Sequence, residues 1–158
     1  MSAAFERRRD DGYVVSTDRT RLDLDTLHAQ LRESYWSAGI PRAVMEASIA
    51  HSIPFGLYAP SGEQAGFCRV LTDTALFAYL ADVIVWGEHR GRGLGVFLVE
   101  CALDHPDVQG IRRFHLGTND AHGLYERFGF VTDAQQGIQM DLITPIERLW
   151  PREENGSG

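Results

Sequence analysis

Glu88-His89-Arg90-Gly91-Arg92-Gly93-Leu94-Gly95 is the stretch on which the reading of this chain turns. Before it, the apolar run Leu76 to Trp86 has the composition of a buried strand. After it, Leu94-Gly95-Val96-Phe97-Leu98-Val99-Glu100-Cys101-Ala102-Leu103 reads as a helix. A glycine-rich turn from strand into helix aims free backbone N–H groups, and the positive end of the helix dipole, at one point in space. Such a point attracts an anion. Gly91, Gly93 and Gly95 let a ligand approach the main chain with no Cβ in the way, and Arg90 and Arg92 add positive charge beside it. The expected guest is a pyrophosphate.

Two nucleotide readings of the turn fit poorly. A Walker A loop needs lysine followed by Ser or Thr to reach the terminal phosphates, and all 15 basic residues here are arginine. A dinucleotide fingerprint needs a further glycine where Val96 stands, and it normally opens an early βα unit. A third reading fits better. Arg90-x-x-Gly93-x-Gly95 resembles the acetyl-coenzyme A pyrophosphate loop of the GCN5-related N-acetyltransferases, the GNAT superfamily. Leu80-Ala81-Asp82-Val83-Ile84-Val85 is similar to the family's fourth strand. Ala121-His122-Gly123-Leu124-Tyr125-Glu126-Arg127-Phe128-Gly129-Phe130 is similar to its Ala-x-x-x-Tyr-x-x-x-Gly-Phe segment. The order and spacing of the three make the resemblance specific.

At 158 residues the chain is expected to form one domain with a proper core. Residues 1–12 are charged and lack an apolar signal-peptide core, so they read as a flexible leading segment. The domain proper is expected over 13–145, with a polar tail over 146–158. No apolar stretch is long enough for a membrane span, and the protein is expected to be cytoplasmic. Cys68 and Cys101 sit in apolar surroundings without metal-ligand spacing, so two reduced, packed thiols are expected. The six histidines are scattered, and no metal site is expected. A formal charge of -7 argues against a nucleic-acid partner and leans towards a cationic substrate.

Along the chain, Tyr13-Val14-Val15-Ser16 reads as a first strand. Leucines at 24, 27 and 31 with acids in the first turn predict a helix over 23–34. Gly39 stops it, and Pro41 opens a second helix over 41–52 with Val44, Ala47, Ser48 and His51 on one side. Residues 53–58 and 64–71 read as a hairpin turned by Ala59-Pro60-Ser61-Gly62-Glu63. A strand over 112–117 follows the glycine-loop helix, so it should run parallel to the strand over 76–86. A helix over 119–128 ends at Gly129, and Phe130–Thr132 with Ile138–Ile143 reads as a closing strand pair. The fold class is therefore α/β: a mixed, mostly antiparallel central sheet with a parallel strand pair and flanking helices.

The resemblance adds further expectations. It implies that the parallel pair splays apart and that acetyl-CoA, as co-substrate, lies in the gap, its arm bonded to the backbone of Val83 and Val85. Arg90, Gly91, Arg92, Gly93, Leu94 and Gly95 would hold the diphosphate. Thr118 stands where the family often has asparagine, with Asn119 one step later, and both are cofactor-binding candidates. Acetyl transfer needs a neutral amine, a donor for the developing oxyanion and a proton for the departing thiolate. Tyr125 matches the tyrosine that supplies this proton in many members, although Tyr125 and Phe128 could also simply share an apolar stripe. The link between the first two helices commonly walls the acceptor pocket, which brings in Tyr35, Trp36 and Arg42; Tyr79 and Asp82 on the strand join them. Asp82 is the only carboxylate between residues 76 and 86. An acid in an apolar strand requires a partner, and a bracing role is preferred to that of general base, leaving water to deprotonate the amine. The expected acceptor is a small-molecule or peptide amine, and such folds commonly form homodimers. The rival reading keeps the fold without turnover, as a CoA-binding or protein-interaction module.

Overall fold

The computed structural model describes residues 3–132 and 137–150. Asp11-Gly12 turns the chain back on itself, with Gly12 at a φ of 91° that favours glycine. The turn pairs strand β1 (Glu6–Arg8) antiparallel with β2 (Val14–Ser16). The leading segment, read from sequence as flexible, thus carries an edge strand. Its Phe5 packs against the core, and its main chain is fixed at Thr17 by the Thr17 N–H to Phe5 carbonyl bond at 2.9 Å.

Helix α1 (Leu24–Arg32) is capped by Asp23, whose carboxylate accepts from Thr26 N at 3.1 Å, and it buries Leu27 and Leu31 at i,i+4 spacing. Gly39, at a φ of 74°, donates its N–H to the Arg32 carbonyl at 2.9 Å and redirects the chain into α2 (Arg42–Ala50). The face that α2 buries is Met45 and Ile49; the Val44 side looks to solvent. β3 (Ile53–Tyr58) and β4 (Gln64–Thr72) form the expected hairpin, and β5 (Phe77–Val85) pairs antiparallel with β4. Helix α3 (Leu94–Asp104) crosses over to β6 (Arg113–His115), which runs parallel to β5. The six strands lie in the order β1-β2-β3-β4-β5-β6.

The alternation of β-strand side chains divides the interior in two. Phe55, Leu57, Cys68 and Val70 point to one face and pack with Leu98, Val99 and Cys101 of α3. Phe67 points to the other and meets Leu27, Leu31, Met45 and Ile49 of α1 and α2. The sheet is thus sandwiched between α1 and α2 on one side and α3 on the other. Cys68 and Cys101 are both buried and free. Among the described residues no helix is long and apolar enough to cross a membrane.

Three expectations change after β6. Helix α4 is short (His122–Glu126), because Thr118 Oγ1 accepts from Ala121 N at 3.1 Å at one end and Gly129, at a φ of 94°, stops it at the other. Among the described residues, Phe130–Thr132 and Ile138–Ile143 form no strand pair. Phe130 N–H bonds the Tyr125 carbonyl at 3.3 Å, turning the chain down onto α4, and β6 offers only three residues of edge. Ile138, Met140, Leu142 and Ile143 stand exposed. In the tail, Ile146–Leu149 forms a last short helix, α5, and Trp150 packs against the second core cluster.

Candidate active site

β5 and β6 begin as partners and then part. Their ladder runs Phe77↔Arg113, Ala78↔Phe114 and Tyr79↔His115 and stops there, while β5 continues to Val85. From Leu80 onward, among the described residues, the main chain of β5 has no strand opposite on that side. The gap opens beyond the carboxyl end of the parallel pair, where open α/β sheets place their ligands. Val83 and Val85 lie along it, with side chains half-buried against the core.

A bulge shapes the same part of β5. Phe67 pairs with Ile84 and Arg69 with Ala81, so that Asp82 and Val83 both oppose Cys68. Asp82 takes a φ of 56°, a left-handed conformation that costs a residue with a Cβ about 1–2 kcal/mol. Strain of this kind persists only where surrounding contacts impose it. Here Arg69 Nε donates to Asp82 Oδ2 at 2.7 Å and Trp36 Nε1 donates to Asp82 Oδ1 at 2.9 Å. The acid expected to brace a turn instead ties β4 and the α1–α2 connector to the bulge.

The loop after β5 is held at both ends. Arg90 Nε donates to the Val85 carbonyl at 3.2 Å, and Gly91 and Gly93 adopt φ values of 80° and 72°. Gly93 is the N-cap of α3, and the first bond of that helix runs from Phe97 N to the Gly93 carbonyl at 3.2 Å. Among the described residues, the N–H groups of residues 91–96 have no main-chain acceptor. Those of residues 93–96 are the four orphan donors of a helix start, and those of 91 and 92 lie in the turn before it; Arg92 stands exposed next to them. Leu94 is buried and anchors the turn in the core. A Cβ on Gly95 would meet Leu124 Cδ1 at 3.3 Å, so α4 lies directly against the first turn of α3.

Tyr125 follows Leu124 on α4 and is 8% exposed. Burial pushes its phenol up to about 12, with Cys68, Tyr35 and Asp120 adding to the rise. The group therefore keeps its proton throughout the neutral range. The Phe130 ring meets it edge-on at 6.1 Å. A cavity of about 650 Å³ runs along β6 and α4, lined among others by Leu103, Phe114, Thr118, Tyr125 and Phe128. None of its lining residues belongs to β5 or to the loop of residues 90–95, so it lies on the β6 and α4 side of the fold, apart from the gap and the amide cradle.

The aromatic connector crosses over this region. Tyr35 OH accepts from Asn119 N at 3.3 Å, and the Tyr35 and Trp36 rings meet edge to face at 5.0 Å. Thr118 caps the turn into α4, as its hydroxyl allows. Tyr79 tilts against His115 with ring centroids 5.6 Å apart. Arg42 is not joined to this group: its guanidinium pairs with Asp25 at 2.7 Å and Glu46 at 2.9 Å on the surface.

Two contributors escape a reading of the sequence. Arg9 donates Nη1 to the Arg92 carbonyl at 3.0 Å and lies over the rings of Tyr13 and Phe97. His89, buried just before the loop, shares a hydrogen bond of 2.8 Å between Nδ1 and the Tyr13 hydroxyl. Both depend on the N-terminal hairpin, and the Asp11-Gly12 pair was the local signal for it.

A profile described as an acetyltransferase (GNAT) domain matches residues 51–132. A Gibberella zeae protein, provisionally named an acetyltransferase, is 30% identical over 135 residues, covering 72% of this chain and 75% of its own. A crystal structure from Xanthomonas campestris pv. campestris, provisionally named an acetyltransferase of the GNAT family, superposes with a TM-score of 0.81 at 44% identity over 84% of this chain and 94% of that one. Glucosamine-6-phosphate N-acetyltransferase from Arabidopsis thaliana shares the fold, with a TM-score of 0.57 at 17% identity over 91% of this chain and the whole (100%) of the other. With its splayed strand pair, its cradle of open amides and these relatives, the chain belongs to the GNAT family of acetyltransferases.

Proposed function

We propose that this protein transfers the acetyl group of acetyl-CoA to a primary amine, which attacks directly while both substrates are bound. One observation carries the reading: the unpartnered amides of residues 91–96 stand at the end of the gap between β5 and β6. A diphosphate fits such a turn, since its oxygens only accept and the amides only donate, while Arg90 and Arg92 supply charge. The open edge of β5 at Val83 and Val85 suits the amide-bearing arm of CoA, which hydrogen-bonds like a strand. Thr118 and Asn119 flank the same gap.

When bound, the thioester supplies an activated acetyl carbon. The chain's part is to hold the reactants close, shield them from water and manage two protons. Tyr125, protonated at neutral pH, gives its proton to the departing sulfur and regains it from solvent. Asp82 already accepts from Arg69 and Trp36, so the amine's proton leaves through water. The acceptor is a small-molecule or peptide amine.

The test is thiol release from acetyl-CoA across a panel of amines. Amine-dependent release is expected, whereas tight acetyl-CoA binding with no release across a broad panel would favour a non-catalytic binding module. The open edge of β6 and the exposed Ile138, Met140 and Leu142 also favour a homodimer; a monomer mass by light scattering at micromolar concentration would reject it.

A further inference from the structure

The α1–α2 connector is pinned across the gap at two points, by Trp36 to Asp82 on β5 and by Tyr35 to Asn119 in the turn after β6. Trp36 has a single polar atom, and the framework uses it. The Tyr35 hydroxyl is likewise anchored. What the two side chains leave outward is ring surface: Tyr35 is 54% and Trp36 37% exposed. Tyr and Trp, with an apolar ring at one end and a polar tip at the other, are enriched at interfaces for that reason.

Charge points the same way. Asp82 is the acid that the Trp36 indole bonds, and its side chain is only 10% exposed, whereas Glu33 and Asp120, neighbours in sequence of Tyr35 and Asn119, are exposed to solvent. Arg69 Nε holds one oxygen at 2.7 Å and Trp36 holds the other at 2.9 Å. Arg69 is itself fixed by donating Nη1 to Ser52 Oγ at 3.1 Å. The carboxylate is therefore neutralised where it stands and offers little to a second ammonium group. On the parallel strand pair, Phe77 stacks on His115 at 6.5 Å and Tyr79 tilts against the same ring, a second aromatic group on the sheet.

Resting on the acetyltransferase reading above, the geometry points to an acceptor of the arylalkylamine class: a primary amine attached to a flat, apolar body that lies against Tyr35 and Trp36. Asp82 is a positioning residue that acts through Trp36. A polyamine would need free carboxylates for its extra charges, and an amino sugar would need polar partners for its hydroxyls. The two rings provide neither.

The experiment is calorimetric titration of the CoA-saturated full chain with 2-phenylethylamine, spermidine and glucosamine. Phenylethylamine is expected to bind at least about tenfold more tightly than the others, the scale of one well-made aromatic contact. W36A should weaken it about tenfold and leave acetyl-CoA affinity unchanged. D82A should weaken phenylethylamine by a similar factor, D82N should lose less because its side-chain oxygen still accepts from Trp36 Nε1, and D82A should add little in the W36A background. Melting curves on every variant separate these effects from unfolding. Preference for spermidine or glucosamine, absence of binding by all three, or an unaffected W36A overturns the inference. Thiol release is scored separately. Phenylethylamine binding without release defeats the enzymatic reading and leaves this one standing, and release driven by spermidine does the reverse.

Discussion

Arg9 Nη1 donates to the main-chain oxygen of Arg92 at 3.0 Å, joining the N-terminal hairpin to the glycine loop of residues 90–95. Asp11 orients the guanidinium from behind, with bonds to Nε at 3.2 Å and Nη2 at 2.5 Å. Holding the Arg92 carbonyl on this side leaves the following amides for a ligand. We expect R9A to raise the KM for acetyl-CoA about tenfold, the worth of one charge-assisted hydrogen bond, with kcat changed far less. R9K should recover only part, since lysine keeps the charge and loses the fork. Initial-rate kinetics decide it: an unaltered KM in R9A removes Arg9 from the site.

Gly93 isolates a backbone effect from a steric one. A Cβ there would meet only Arg9 Nη1, at 3.8 Å, so space is available. Its φ of 72° is what side chains resist, by about 1–2 kcal/mol. CoA affinity should therefore fall in the order Gly, Asn, Ala, Val, because asparagine tolerates the left-handed region best and β-branched residues worst. If G93V binds CoA as the parent does, the loop does not need this conformation.

Tyr125→Phe keeps the ring against Phe130 and removes only the proton donor. General acid–base groups contribute about 10²–10⁴ in rate, so kcat should drop by that order while both KM values and the melting temperature stay near those of the parent. Retention of full activity would assign the proton to another group.

Alkaline pH should unfold the protein early. Burial pushes Tyr58 and Tyr125 from 10.0 up to about 12, pushes Cys101 from 9.0 up to about 12, and raises Cys68 as well. These folded-state values are raised, so between pH 9 and 12 the native state holds more protons than the unfolded one. Stability is complete below that window and is lost as pH rises through it, by about 1.4 kcal/mol per pH unit for each group. Melting temperature followed by circular dichroism from pH 7 to pH 11 should fall steeply above pH 9. A flat profile would mean that these groups are not buried in solution.

The parts of the fold that could be read from the sequence were local. Glycines at 91, 93 and 95 between an apolar strand and an apolar helix define the loop by themselves, and the long crossover dictates a parallel β6. Asp82 in an apolar run announced a buried partner, but its partners, Arg69 and Trp36, come from two other elements and only tertiary packing selects them. Ile138, Met140 and Leu142 alternate like a strand, yet pattern alone does not supply a neighbour, and β6 offers a short edge. Arg9 reaches the loop across 83 residues of chain, a distance over which periodicity carries no information.

The hairpin of β1 and β2 makes this segment mechanically continuous with the glycine-loop end of the cleft. Purification handles and fusion partners attached ahead of Phe5 will therefore not be silent passengers. A bulky leader that peels β1 from β2 should loosen acetyl-CoA without touching any residue of the loop, and proteolytic removal of that leader should restore it.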